Sequence, residues 1–360
     1  MRKAKAPALW GRGFFNFMDK STRNALLIGA GLFLAARAAR RKLRDADLSG
    51  SVVLITGGSR GLGLALAREF GGQGCRLALC ARDGDELERA RETLTAGGLE
   101  VFTQVCDLTD TAQVARLVED VTGHYGRIDV LVNNAGIIEV GPVQNMARRD
   151  FEDAMAADFW GILDTILNVL PQMQARKAGR IVNITSIGGK VSFPHLLPYA
   201  AAKFAATGLS EGLHSELARD GIVVTTIVPG LLRTGSYFHA LFKGDKSKEF
   251  AWFGLGDNLP GGSISAERAA REIVSATRRG EAERILSIPA NLLSQMHGLA
   301  PGLTAGLLTL INNAILPPPS DAPDADTLST GSEAAPDVPA KPLFDVTTGL
   351  GRAAAARLNE

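Results

Sequence analysis

From Ser51 onward the chain alternates short runs of β-branched and apolar residues with longer helical patterns. The runs are SVVLIT (51–56), CRLALCA (75–81), LEVFTQVC (99–106), IDVLVN (128–133), RIVNIT (180–185), IVVTTIV (222–228) and RILSI (284–288), with stretches such as LALAREFGG and DELERARETL between them. Alternation of this kind predicts parallel strands joined by right-handed crossovers, with helices on both faces of the sheet. The expected fold class is therefore α/β: a doubly wound parallel sheet of seven strands within residues 48–288, with an extension at each end.

The two ends differ from the middle in charge. The formal net charge of +1 gives no global reason to expect a nucleic-acid partner. Residues 1–50 nevertheless hold eleven Lys/Arg against three Asp, and residues 317–360 hold seven acids against three bases. Asn24–Ala36 carries no charge and runs directly into RAARRKLR, with five bases in eight residues. A helix of that apolar length reaches only about 20 Å, short of a hydrocarbon core of about 30 Å. The arginines that end the run argue against signal-peptide cleavage. They favour the anionic, cytoplasmic side of a membrane, each nearby Lys or Arg contributing about 1 kcal/mol. Residues 1–47 are thus expected to hold the α/β domain at the cytoplasmic side of a membrane surface through residues 13–44, by a short or tilted span or an interfacial helix, with a helix packed on the domain or a partner as the alternative.

Residues 285–320 contain no Asp, Glu, Lys or Arg and are interrupted by Pro289 and Pro301. Residues 289–316 are expected to form a helical extension packing on the domain, on a second subunit, or against lipid, in that order. The acidic, Pro- and Ala-rich stretch 317–342 reads as a flexible linker, and residues 343–360 as a short terminal helix, which would dock, or a tail. Cys75, Cys80 and Cys106 sit in strand-like runs and read as reduced core residues. No Cys or His spacing suggests a metal site, and the five histidines read as incidental.

The first crossover, TGGSRGLG (56–63), follows the first strand directly. Gly57, Gly61 and Gly63 let the backbone turn tightly, approach a pyrophosphate and pack the helix against the strand, while the helix N-terminus offers N–H groups and a positive dipole end. This turn resembles the TGxxxGxG turn of the short-chain dehydrogenases/reductases. NNAG (133–136) is similar to that family's fourth-strand motif, YAAAK (199–203) to its YxxxK, and PGLLRT (229–234) to its PGxxxT, while Ser186 stands thirteen residues before Tyr199, the family's spacing. The resemblance runs from Thr56 to Thr234 and leaves both tails outside.

It implies a Rossmann fold and a nicotinamide cofactor held by Thr56, Gly57, Ser59, Arg60, Gly61, Leu62 and Gly63 in the turn, Arg82, Asp107 and Leu108, Asn134, Ala135 and Gly136, Pro229, Gly230 and Thr234, and by Tyr199 and Lys203. It further implies that Lys203 grips the nicotinamide ribose, Ser186 hydrogen-bonds the substrate oxygen, and Tyr199 delivers or removes its proton. Free tyrosine titrates at about 10, but an ammonium about 4 Å away at an effective dielectric of about 20 is worth at most about 4 kcal/mol, or roughly three pKa units. Tyr199 is therefore expected near working pH. One catalytic position departs from the family pattern: Asp158 stands where the family usually carries the asparagine of its proton relay. If a helix carbonyl holds the relay water the change is silent, and if the carboxylate sits near Lys203 it offsets the lysine's charge and leaves Tyr199 less acidified.

A carboxylate ending the second strand would select NAD, but Ala81 occupies that position, with Arg82 next and Arg60 in the turn. Two guanidiniums suit a 2′-phosphate, so NADP is expected over NAD, with Asp83 capping the next helix. Tyr237, Phe238, Phe242, Phe250, Trp252 and Phe253 follow Thr234, where the family places its substrate lid. They suit a greasy ketone, aldehyde or alcohol, or else merely hold the loop down. The resulting expectation is a membrane-associated, homo-oligomeric NADP(H)-dependent carbonyl reductase or alcohol dehydrogenase acting on a lipophilic small molecule, without metal or nucleic acid. The alternative is an NADP-binding sensor or scaffold.

Overall fold

Seven parallel strands form the central sheet: β1 (Val52–Thr56), β2 (Arg76–Ala81), β3 (Val101–Val105), β4 (Val130–Asn133), β5 (Gly179–Ile184), β6 (Ile222–Pro229) and β7 (Glu283–Leu286). Their spatial order is β7-β6-β5-β4-β1-β2-β3. All seven overlap the runs named above, three of them reaching one residue beyond. The computed structural model describes residues 45–259 and 261–360, so the segment expected at a membrane surface lies outside the described residues. The winding reverses between β1 and β4, and sheets of this kind take ligands in the crevice beyond the carboxyl ends of the strands at that reversal. Val52 to Ile55 are fully buried because helices cover both faces, which is why β1 is continuously apolar rather than alternating.

The longer helices through residue 279 are α1 (Gly61–Gly72), α2 (Gly84–Ala96), α3 (Thr111–Tyr125), α4 (Arg148–Met155), α5 (Gly161–Arg176), α6 (Leu197–Glu216), α7 (Lys246–Asp257) and α8 (Ala266–Arg279), of which α7 packs outside the sheet. Their starts are locally encoded: Asp83 accepts from the Glu86 N–H at 2.8 Å, and Asp110 accepts from the Ala112 and Gln113 N–H groups. The three cysteines are reduced and buried.

Beyond the sheet, one expectation is corrected and two that were left open are narrowed. Tyr237, Phe242 and Phe250 are fully buried in a second, smaller core with Val338 and Phe344, so most of the aromatic cluster holds its loop in place rather than facing a ligand. The stretch read as a flexible linker is docked: Ser329–Thr330 pairs antiparallel with Leu241–Phe242, Asn145 Nδ2 donates to the Ser320 carbonyl at 2.9 Å, and Ala325, Ala334 and Val338 are buried. Its acidic composition hid a few small apolar residues that become buried and a Thr330–Glu333 capping box. Finally, α9 (Ile288–Leu299) and α10 (Pro301–Ala314) pack on each other, but Leu292, Leu299, Leu303 and Leu310 are all more than 60 % exposed, so the domain does not cover their outer face. Among the described residues no helix is long and apolar enough to cross a membrane. The chain finishes with α11 (Lys341–Thr347) and α12 (Gly349–Arg357).

Candidate active site

Pro198 sits in the first turn of α6, where its missing N–H costs nothing, and the helix then stacks Tyr199 and Lys203 one turn apart. Lys203 is 4 % exposed, with Nζ 5.6 Å from the Tyr199 ring centroid. The ammonium lies 3.4 Å from the Ile184 carbonyl at the end of β5 and 3.0 Å from Asp158 Oδ1. Asp158 is completely buried and projects from a π-helical turn, Ala156–Trp160, between α4 and α5. Such a turn holds one residue more than an α-turn and re-aims the side chains on it. The carboxylate thus sits beside Lys203, the premise of the second alternative raised for Asp158. Gly136 makes room for the pair: a Cβ there would collide with Asp158 Oδ1 and come within 3.2 Å of Lys203 Nζ.

Ser186 follows β5 in extended conformation, and its hydroxyl accepts from the Gly188 N–H at 3.0 Å, which leaves the hydroxyl hydrogen free to donate. It is also close enough to pull the pKa of the Tyr199 phenol down. Burial pushes the Tyr199 pKa above its usual value, Lys203 pulls it down, Asp158 pushes it up again, and the net direction is upward. The expectation that Lys203 brings the phenol near working pH is thus corrected, because it left out desolvation and the neutralising carboxylate. Burial alone would depress the Lys203 ammonium, but Asp158 and the phenol outweigh it and hold the pKa above the usual lysine range. Burial likewise raises the Asp158 carboxyl, against the pull of Lys203.

In the glycine turn, Gly57 has a φ of +63°, and a Cβ there would stand 2.9 Å from the Ala135 Cα. Thr56 Oγ1 accepts from the Asn134 and Ala135 N–H groups at 3.0 and 3.1 Å, and Asn134 Nδ2 donates to the Thr56 and Gly57 carbonyls at 3.1 and 3.0 Å. These two residues clasp the turn to the end of β4. The neighbouring Asn133 enters a buried polar chain that the sequence did not reveal. It donates to Asn183, which donates to Ser210, which meets Thr226, so β4, β5, α6 and β6 are tied together beneath the site. Asp107 Oδ1 accepts from the Thr109 N–H and hydroxyl, both at 2.9 Å, and Thr234 Oγ1 accepts from the Ser236 N–H at 3.1 Å.

Every residue named from the sequence as a site residue, Thr56 excepted, lines one cavity of about 1020 Å³. Trp252, Phe253, Leu293, Ile311 and Ile315 form much of its apolar wall. Sequence reasoning missed three carboxyls there. Glu86 takes Arg60 Nη1 at 2.6 Å and the Ser59 hydroxyl at 3.2 Å, so Arg60 is not the free guanidinium it was expected to be. Asp257 is pushed up to about 8 by burial, with Glu360 adding to the effect, and Glu360 itself is pushed up to about 7 by burial. Nothing in the local sequence marked Glu86, Asp257 or Glu360 as site residues. His195 is also far from incidental. Buried at a φ of +63°, its Nδ1 lies 2.9 Å from Glu249 Oε1, and Trp252 Nε1 donates to Glu249 Oε2 at 2.6 Å, which clamps the loop before α6 to α7.

The family model described as short chain dehydrogenase matches residues 51–239. A dehydrogenase/reductase SDR family protein 7-like of Anopheles gambiae is 37 % identical over 263 residues, covering 71 % of this chain and 81 % of that protein. Among solved structures, the actinorhodin polyketide ketoreductase with NADPH aligns with a TM-score of 0.58 at 30 % identity, over 66 % of this chain and 95 % of that one. A gluconate 5-dehydrogenase from Burkholderia cenocepacia, in complex with NADP and tartrate, aligns with a TM-score of 0.60 at 25 % identity, over 70 % and 99 %.

Proposed function

Because the chain belongs to the short-chain dehydrogenase/reductase family, and so to the nicotinamide-dependent oxidoreductases, we propose that it is an NADP(H)-dependent enzyme interconverting a lipophilic carbonyl compound and its alcohol. The observation that carries this reading is the convergence of Ser186, Tyr199 and Lys203 on one largely apolar cavity. A dinucleotide fits the residues at the other end: Gly57 admits a close backbone approach that a Cβ would block, α1 points its N-terminus into the cavity, and Arg82 has no ion-pair partner among the described residues. When bound, the nicotinamide supplies or accepts the hydride at the substrate carbon. Ser186 Oγ–H holds the substrate oxygen, and Tyr199 Oη gives it a proton in reduction or removes one in oxidation. Lys203 Nζ, fixed by Asp158 and the Ile184 carbonyl, sets the charge beneath the phenol and grips the ribose. The wall of Trp252, Phe253, Leu293 and Ile311 excludes water and favours a greasy substrate. Loss of NADPH absorbance with a panel of lipophilic ketones and aldehydes in detergent tests the reading, and no turnover across the panel counts against it. Asp158, by neutralising Lys203, is the one observation favouring a non-catalytic NADP-binding sensor instead.

Two finer parts of the proposal carry their own tests. With Arg60 held by Glu86, Arg82 is the residue left to meet a 2′-phosphate, so NADPH binds more tightly than NADH. Arg82→Ala weakens NADPH about tenfold or more, the loss of a charge-assisted contact worth about 1.5–3 kcal/mol, and leaves NADH unchanged. Titration of both nucleotides checks this, and equal affinities in the unaltered protein overturn it. For the membrane surface, the full chain sediments with anionic vesicles at low salt and a version starting at Leu48 does not. Equal partition of the two removes the anchor assignment.

A further inference from the structure

We infer that Leu358–Glu360 is a displaceable occupant of the dinucleotide phosphate cradle, so that docking of this segment and binding of the cofactor's phosphates exclude each other. The inference rests on the cofactor reading above. Gly61 has a φ of +54°, and the space where its Cβ would stand is filled by Glu360 Oε1, 2.8 Å away. The Gly61 N–H donates to the Leu358 carbonyl at 2.9 Å. Across the crevice, the Gly235 N–H donates to the other Glu360 oxygen. The approach that a glycine at position 61 leaves open to a pyrophosphate is therefore taken by a side chain of the protein itself.

The occupation extends toward the adenosine end. Asn359, at a φ of +63°, donates from Nδ2 to the Ser59 carbonyl at 2.9 Å and the Glu86 carbonyl at 2.8 Å, and its Oδ1 accepts from Arg89 Nε at 3.0 Å. Glu86 in turn holds Arg60 and the Ser59 hydroxyl. The donors best suited to phosphate oxygens, two backbone N–H groups, a hydroxyl and a guanidinium, are thus all turned to oxygens of the chain. A glycine turn at a helix N-terminus favours an oxygen-rich occupant, and a carboxyl there satisfies donors that would otherwise need another partner. A phosphate oxygen cannot reach the Gly61 N–H while the Leu358 carbonyl and the Glu360 carboxyl stay in place. The docked segment is anchored by Leu358, which is fully buried, and by Arg68, whose Nη2 donates to the Arg357 carbonyl at 3.1 Å.

Two measurements on the full chain test this. A double variant, Asn359→Ala with Glu360→Ala, removes every side-chain contact that holds the segment over the cradle and leaves the Leu358 carbonyl as the one remaining, more easily displaced partner of the Gly61 N–H. It is expected to lower the NADPH Kd by about tenfold, because a site that is mostly self-occupied binds with an affinity reduced by the fraction that is open. In the unaltered protein, saturating NADPH is expected to speed amide hydrogen exchange in residues 349–360 while slowing it in the glycine turn. Unchanged or weaker NADPH binding by the variant, or slower exchange in residues 349–360 on adding NADPH, overturns the inference and makes the segment a clamp over the bound nucleotide. Failure of both proteins to bind either NADPH or NADH removes the cofactor reading, and this inference with it.

Discussion

Replacing Tyr199 by Phe lowers turnover by about 10²- to 10⁴-fold, the range of a lost general acid–base group, while dinucleotide binding survives. The ring is half-buried beside Lys203, with the ammonium 5.6 Å from its centroid, so Phe keeps the packing and loses the transferable proton. Lys203→Ala differs in kind. It removes the charge beneath the phenol, the proposed grip on the ribose and the partner of a fully buried carboxylate, so binding and turnover both fall. Steady-state kinetics together with nucleotide titration separate the two cases. Substantial reductase activity in Tyr199→Phe overturns the catalytic assignment.

Asp158→Asn moves the tyrosine limb of the pH–rate profile to lower pH by about one unit, equivalent to about 1.4 kcal/mol between the two protonation states. The sign follows from the surroundings of the phenol. Burial raises its pKa, Lys203 lowers it and Asp158 raises it, so deleting the carboxylate's charge removes an upward contribution. Turnover in the reductive direction is kept or increased, and the fall in activity with rising pH begins earlier because the phenol loses its proton sooner. The measurement is log kcat/KM against pH, and an unmoved or upward-shifted limb means Asp158 carries no charge at working pH. Asp158→Ala is harsher. It leaves the Lys203 ammonium, 4 % exposed, without its ion-pair partner, a loss that costs about 3–5 kcal/mol of stability, read as a lowered denaturation midpoint.

The neighbourhood of Asp158 also marks where local reading stops. The position was recognisable as unusual from AMAADFWGIL alone, yet its effect depends on a π-turn that aims the carboxylate at an ammonium on another helix. The magnitude assigned to Lys203 was plausible for an isolated pair, but desolvation reversed the direction of the phenol's shift. The arginines give a parallel case. Arg60 and Arg82 look equivalent in sequence, and only the fold sets Glu86 against one of them. The aromatic cluster stayed open for a related reason: ring content says that a segment buries apolar surface, without saying whether a ligand or residues such as Val338 and Phe344 will cover it.

What the chain determined by itself is whatever rests on short-range geometry. Buried parallel strands are continuous apolar runs, so all seven were legible, and the crossovers between them followed from the handedness of the polypeptide. A four-residue offset on a helix stacks Tyr199 and Lys203 whatever surrounds them, and the Gly57 turn needs its positive φ locally. Only the tertiary structure decided which charges meet and which donors are already used. It joined Asp158 to Lys203, Glu86 to Arg60, and Glu360 to Gly61 and Gly235. Those pairings come from elements far apart in sequence, and their strength depends on how much water packing removes, a property of the assembled fold that no local pattern of residues carries.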